Sequence, residues 1–121
     1  MNSLHENLDL SYILGTGDLI QIAFSFYQVI LRFEEVTMTI DIEAACEVRA
    51  PGGSIWIWEP GKISDMSGFA KLLESRIQSY KIVSKSELLI AFTTGYELVL
   101  HEDPNKLESF SIGARGSGLT V

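Results

Sequence analysis

The sequence predicts an α+β domain: two antiparallel β-meanders, six to eight strands in all, with one main helix near residues 65–77. Three observations predict it. Residues 36–43 alternate apolar and polar, the apolar run after residue 18 changes phase midway, and a helical stripe interrupts the β-like pattern.

Gly15, Thr16, Gly17 and Asp18 make a turn-rich entry to an apolar run in which Ile20, Ile22 and Phe24 share one face. After Ser25 and Phe26 the apolar set becomes Tyr27, Val29, Leu31 and Phe33. A continuous strand cannot move its core face by one residue, so two strands meet in a tight turn there. Next, Val36, Met38, Ile40 and Ile42 alternate with Thr37, Thr39, Asp41 and Glu43, the pattern of a half-buried antiparallel strand. Residues 46–49 read as a short further strand, Pro51, Gly52, Gly53 and Ser54 as a turn, and Ile55, Trp56, Ile57 and Trp58 as a strand closed by Pro60 and Gly61.

The helix rests on Ser64 as N-cap, Asp65 in the first turn, and Phe69, Leu72, Leu73 and Ile77 at i, i+3, i+4 and i+8. Gly68 weakens it by about 1 kcal/mol relative to alanine. Strands then resume at residues 77–83, 88–92, 96–100 and 107–112, separated by Ser84-Lys85-Ser86, Thr93-Thr94-Gly95 and Asp103-Pro104-Asn105. The expected division is an N-terminal segment at 1–14, partly mobile, a single domain at 15–112, and a frayed Gly-rich tail at 113–121. The expected core holds Ile22, Leu31, Phe33, Met38, Ile40, Phe69, Leu72, Leu73, Ile90, Phe92, Leu98 and Leu100.

The halves echo each other. Ile20-Gln21 recurs as Ile77-Gln78, Leu31-Arg32-Phe33 as Ile90-Ala91-Phe92, and residues 37–40 as 96–99. Either the chain carries a faint duplication, or two meanders draw on one β vocabulary.

Composition excludes several classes. With 121 residues there is room for one core. Sixteen acids against nine bases give −7, which opposes a nucleic-acid or anionic-membrane surface and suits a basic partner. Cys46 is the sole cysteine, so no internal disulfide forms. The N-terminus lacks the basic and apolar regions of a signal peptide, and the apolar run at 19–31 is shorter than a membrane span of about 18–20 residues. The expected compartment is the cytoplasm.

No catalytic or metal-binding set emerges. His101, Glu102 and Asp103 are adjacent on an extended chain, so their side chains diverge. Cys46 has Glu43 and Glu47 nearby, which raise a thiol pKa, and it reads as a buried structural thiol. Gly15-Thr16-Gly17 lacks the third glycine and the helix of a dinucleotide site. Binding is expected instead of catalysis, with no cofactor and no metal. The densest acid run, Glu34, Glu35, Asp41, Glu43 and Glu47, contains no base and is the first candidate docking surface. Glu97, Glu102, Asp103 and Glu108 form a second candidate, and Trp56 and Trp58, on one strand face, are either core or an aromatic anchor.

Several segments resemble a family of small bacterial proteins. They are Gly17-Asp18-Leu19-Ile20, Tyr27-Gln28-Val29-Ile30-Leu31-Arg32-Phe33, Phe69-Ala70-Lys71-Leu72-Leu73-Glu74, residues 88–98 with their Thr93-Thr94-Gly95 turn, and Leu107-Glu108-Ser109-Phe110-Ser111-Ile112. The likeness covers most of residues 15–121, with Phe110 where the family more often has tryptophan. Families of this build occur among the immunity proteins encoded beside contact-dependent growth inhibition and other polymorphic toxins. The resemblance implies an inhibitor whose partner is a cognate toxin domain, expected to be a basic nuclease. The alternative is a small-ligand-binding or regulatory module without catalytic activity.

Overall fold

A computed structural model describes residues 4–35, 38–114 and 117–121, the side chains of Ala114 and Ser117 excepted. Its ten strands are β1 (Leu19–Phe24), β2 (Val29–Phe33), β3 (Thr39–Ile42), β4 (Cys46–Arg49), β5 (Ile55–Trp58), β6 (Ile77–Ser84), β7 (Glu87–Phe92), β8 (Glu97–His101), β9 (Phe110–Ala114) and β10 (Ser117–Thr120). A 3-10 turn precedes β1 at Ser11–Ile13, and the short helix α1 (Ser67–Ala70) precedes β6. The strands form two five-stranded antiparallel sheets, ordered β1-β2-β3-β9-β10 and β5-β4-β8-β7-β6. Their buried side chains belong to a single cluster, so the sheets face each other as a sandwich.

The α+β expectation is therefore corrected to a mostly β architecture. The helix expected over 65–77 is one turn. Asp65 Oδ1 accepts the Ser67 N–H at 2.9 Å, but after Ala70 the bonds are of i→i−3 type, as in Leu72 N to Phe69 O at 3.0 Å. Glu74 then adopts φ +63°, which ends any right-handed helix. Sheet edges override the stripe: the Leu19 N–H bonds Ser75 O, and the Glu74 N–H bonds Leu19 O. Phe69, Leu72 and Ile77 are buried as expected, but Ile77 starts a strand, and Leu73 is 39% exposed.

The other expected core residues are buried, except Ile22, which is half-buried on an edge strand. The tight turn near residue 26 is a hairpin closed by Ser25 N–H to Gln28 O at 2.8 Å. Residues 113–121, read as a frayed tail, include the end of β9 and all of β10, with Leu119 and Val121 buried. The N-terminal segment also packs: Leu4, Leu10 and Ile13 are buried, and the Tyr80 hydroxyl accepts the Leu10 N–H. Val36 and Thr37, which open the expected alternating strand, lie outside the described residues.

From Met38 to Val48 every even-numbered residue is buried, and the odd-numbered ones are partly exposed. This single alternating run is β3 and β4 together, turning from one sheet into the other near Ala44. The second half makes the same crossing from β8 to β9. Both halves are thus a three-stranded meander followed by a hairpin inserted into the opposite sheet. Registers match too: Leu19 pairs with Phe33 and Ile77 with Phe92, each followed by a bulge, and Leu31 pairs with Ile40 as Ile90 pairs with Leu98. The echo of Leu31-Arg32-Phe33 in Ile90-Ala91-Phe92 is therefore in register. The other two echoes are one residue out, since Leu19 matches Ile77 and Ile40 matches Leu98.

Candidate functional site

The five acids of the first candidate surface do not form one patch. Even-numbered residues of the β3–β4 run point into the core throughout, so its acids all point outward. Because the run changes sheets, outward reverses direction: Asp41 lies on the outer face of the first sheet and Glu47 on that of the second. Glu43, partly exposed, sits at the crossing, where its N–H bonds Ser109 O at 2.8 Å. Glu34 and Glu35 follow β2; Glu34 Oε1 caps the Asp18 N–H at 2.6 Å, and the Glu35 N–H bonds Thr16 O.

On the first sheet, Asp41 lies between Ile30 of β2 and Ser111 of β9. On the β9 side its outward neighbours are small, since Thr39 pairs with Gly113, Gly113 with Gly118, and Ser111 with Thr120; on the β2 side they are Ile30 and Arg32. Partial burial raises the Asp41 carboxyl pKa, and the charge of Arg32 offsets this only in part. The result is a face that is polar and built of small residues from β3 to β10, with Ile30 and Arg32 beside the carboxylate on β2.

On the second sheet, Glu47 joins a cluster of which only Arg49, two residues on along β4, is near it in sequence. Arg49 Nε lies 3.0 Å from Glu47 Oε2, and His101 Nε2 lies 3.1 Å from Glu47 Oε1. His101 Nδ1 faces Glu87 Oε1 at 3.6 Å, and Glu97 pairs in register with Arg49. Burial would raise the Glu47 pKa, but the hydrogen bonds from Arg49 and His101 outweigh it and hold the carboxyl below its ordinary range. Val99 shares this outward face yet is fully buried, so the cluster roofs an apolar floor. His101 turns to Glu47 and Glu87, and Glu102 lies in the loop after β8. The partner that sequence reasoning missed is Glu47, which reaches His101 through the β4–β8 register, 54 residues away.

Of the second candidate surface, Glu97 belongs to that cluster. Glu102 and Asp103 are partly exposed in the loop after β8, where Asp103 Oδ1 caps the Asn105 N–H; Glu108 is exposed. Trp58 is buried, and Trp56 stacks on Tyr96 with ring centroids 6.4 Å apart and packs over Gly68, so both indoles serve the core. Cys46 is buried, and burial pushes its thiol up to about 12. Among the described residues, no group of three or more His, Cys, Asp or Glu could hold a metal ion, and no helix is long and apolar enough to cross a membrane.

Two apolar grooves flank β1. One, of about 330 Å³, runs between Ile22 and Phe24 on β1 and Met66, Phe69, Ala70 and Leu73 around α1. The other, of about 270 Å³, continues past Phe24 to Phe26, Trp58 and Ile63. They are open-sided: Phe24 is 59% exposed and Ile63 97%. No family model, no curated protein and no solved structure matches the chain.

Proposed function

We propose that the chain is a cytoplasmic immunity protein, a binding protein without catalysis of its own, which neutralises a cognate toxin domain. It docks through the outer face of the β1-β2-β3-β9-β10 sheet. The observation that carries this reading is Asp41, a carboxylate kept half-buried at mid-sheet against its own desolvation, above a floor of Thr39, Ser111 and Gly113. A carboxylate shifted by partial burial at mid-sheet is a candidate contact, and the small residues on its β9 side let a partner reach it. Glu43 and the Glu34–Glu35 turn extend the acidic character along the same half of the molecule. The net charge of −7 and the likeness of residues 15–121 to immunity proteins support the same reading. A nuclease toxin, with its basic cleft, is the complementary partner. Glu47 faces away and is committed to Arg49 and His101.

The test is association kinetics, over a salt series, with the toxin domain encoded by the adjacent reading frame. Replacing Asp41 and Glu43 together by lysine should slow the on-rate and flatten its salt dependence, while the far-ultraviolet circular-dichroism spectrum shows the fold retained. Each exposed charge contributes under about 1 kcal/mol, and a charge pair buried in the complex about 2–5 kcal/mol. An unchanged on-rate would reject this face.

A further inference from the structure

The free edge of β1 meets a demand that the rest of the molecule leaves open. β1 is the outermost strand of its sheet and pairs with β2 alone. The bond from Ser25 N–H to Gln28 O makes that pair hydrogen-bonded. Antiparallel pairs alternate, so Ala23:Ile30 and Gln21:Arg32 are bonded too, and the N–H and C=O groups of Ile22 and Phe24 point away from β2. Residues 74–75 cover the edge only at Leu19. Beyond Leu19 the edge faces the groove beside α1, with Ile22 and Phe24 along its wall.

The usual protections of an edge are missing here. Leu19-Ile20-Gln21-Ile22-Ala23-Phe24 has no charge and no proline, and its one bulge lies at the Leu19 end. By contrast, the β6 edge carries Lys81 and two irregularities, and α1 packs against β5.

An occupant of this edge must be extended, uncharged, and apolar at alternate positions, so that its backbone bonds Ile22 and Phe24 while its side chains enter the groove. β1 itself has that chemistry. We propose that the occupant is a second copy of this chain, its β1 antiparallel to the first about a two-fold axis at Ala23. In that register Ile22 of each copy exchanges backbone hydrogen bonds with Phe24 of the other, and the aliphatic and aromatic side chains pair across the strands. Ala23 meets Ala23 of the second copy at the close, non-bonded position, where the smallest side chain of the strand sits. The two five-stranded sheets become one of ten strands, and each exposed Phe24 fills the other's groove. This surface is separate from the Asp41 face, so either assignment can fail without the other.

The experiment is mass measurement by light scattering, joined to a cysteine probe of register. The wild-type chain should run at twice its 13.4 kDa. Opposed Cβ atoms at a non-bonded pair lie close to disulfide spacing, so Ala23→Cys should cross-link into a covalent dimer under mild oxidation. Gln21→Cys, which in this register does not face itself, should not. The native Cys46 is buried and does not compete. Phe24→Lys should give a monomer with an unchanged circular-dichroism spectrum. A wild-type chain that stays monomeric at its highest soluble concentration would overturn the proposal and leave the edge to an extended segment of another protein. So would a dimer in which Ala23→Cys fails to cross-link. If Phe24→Lys does not fold, the cysteine pair decides alone.

Discussion

Asp41 and Glu47 are carboxylates on one alternating run, and the fold moves their proton affinities in opposite directions. The Asp41 pKa is raised by burial, so its charge opposes folding above that pKa, and the penalty lifts as pH falls through it. Asp41→Asn should therefore raise the melting temperature at neutral pH, with the gain fading in acid. The Glu47 pKa is lowered by its bonds to Arg49 and His101. Its stabilisation is complete above the ordinary glutamate range and disappears as pH falls through the depressed folded value. Glu47→Gln should accordingly lower stability at neutral pH and converge with the wild type in acid. Urea titrations of both variants across pH check the pair; parallel shifts of one sign would mean that the two environments have been misassigned. Neither role could be read from the sequence, where the two residues look alike. What separates them is the change of sheet between them, which the uninterrupted parity of Met38 to Val48 conceals.

At the scale of elements, most strands were legible, but the helix was not, and the six to eight strands expected are ten. Two-residue periodicity survives in β2, β3, β4 and β7 because each has one face on the core, whereas β8 buries Leu98, Val99 and Leu100 in succession. The stripe Phe69, Leu72, Leu73, Ile77 joins two elements, since a single helical turn followed by extended chain can bury the same residues as a helix. Its glycine carries information that propensity alone misprices. A Cβ on Gly68 would lie 2.1 Å from Trp56 Cδ2, inside the indole's own volume. Gly68→Ala, favourable in an isolated helix, should here destabilise by about 1–3 kcal/mol through overpacking. Chemical denaturation measures it, and near-ultraviolet circular dichroism should report the displaced tryptophan. A neutral or stabilising result would show that α1 does not press on β5. The tail reads as frayed because it holds three glycines in nine residues, whereas Leu119 and Val121, two residues apart, supply its buried face.

For the whole molecule, the repeat of topology and register makes Phe33 and Phe92 equivalent. Each pairs with the first residue of its meander and is buried at the same point of its own sheet. Replacing either by alanine should cost about 3–5 kcal/mol, and the two costs should agree more closely than either does with other core truncations. Equilibrium unfolding of both variants tests this; a large difference would show that the halves share a path but not a packing. The sequence hinted at the repeat through Leu31-Arg32-Phe33 and Ile90-Ala91-Phe92. It hid the exchange of hairpins, because nothing local tells a strand which sheet it will join.

That exchange has a consequence for the order in which the protein is made. The hairpin β4–β5 completes the sheet begun by β6, β7 and β8, and β9–β10 completes the one begun by β1, β2 and β3. As the chain leaves the ribosome, its first meander has no opposing layer to close against, and β4 has no neighbour on its far side until β8 is synthesised. The N-terminal half therefore waits with its apolar faces open, and the pairings that close both sheets span 68 to 74 residues for β3 with β9 and 48 to 54 for β4 with β8. Contacts so distant in sequence make folding slow. Translation must deliver β8 before the second sheet has all its strands, and β9 and β10 before the first does.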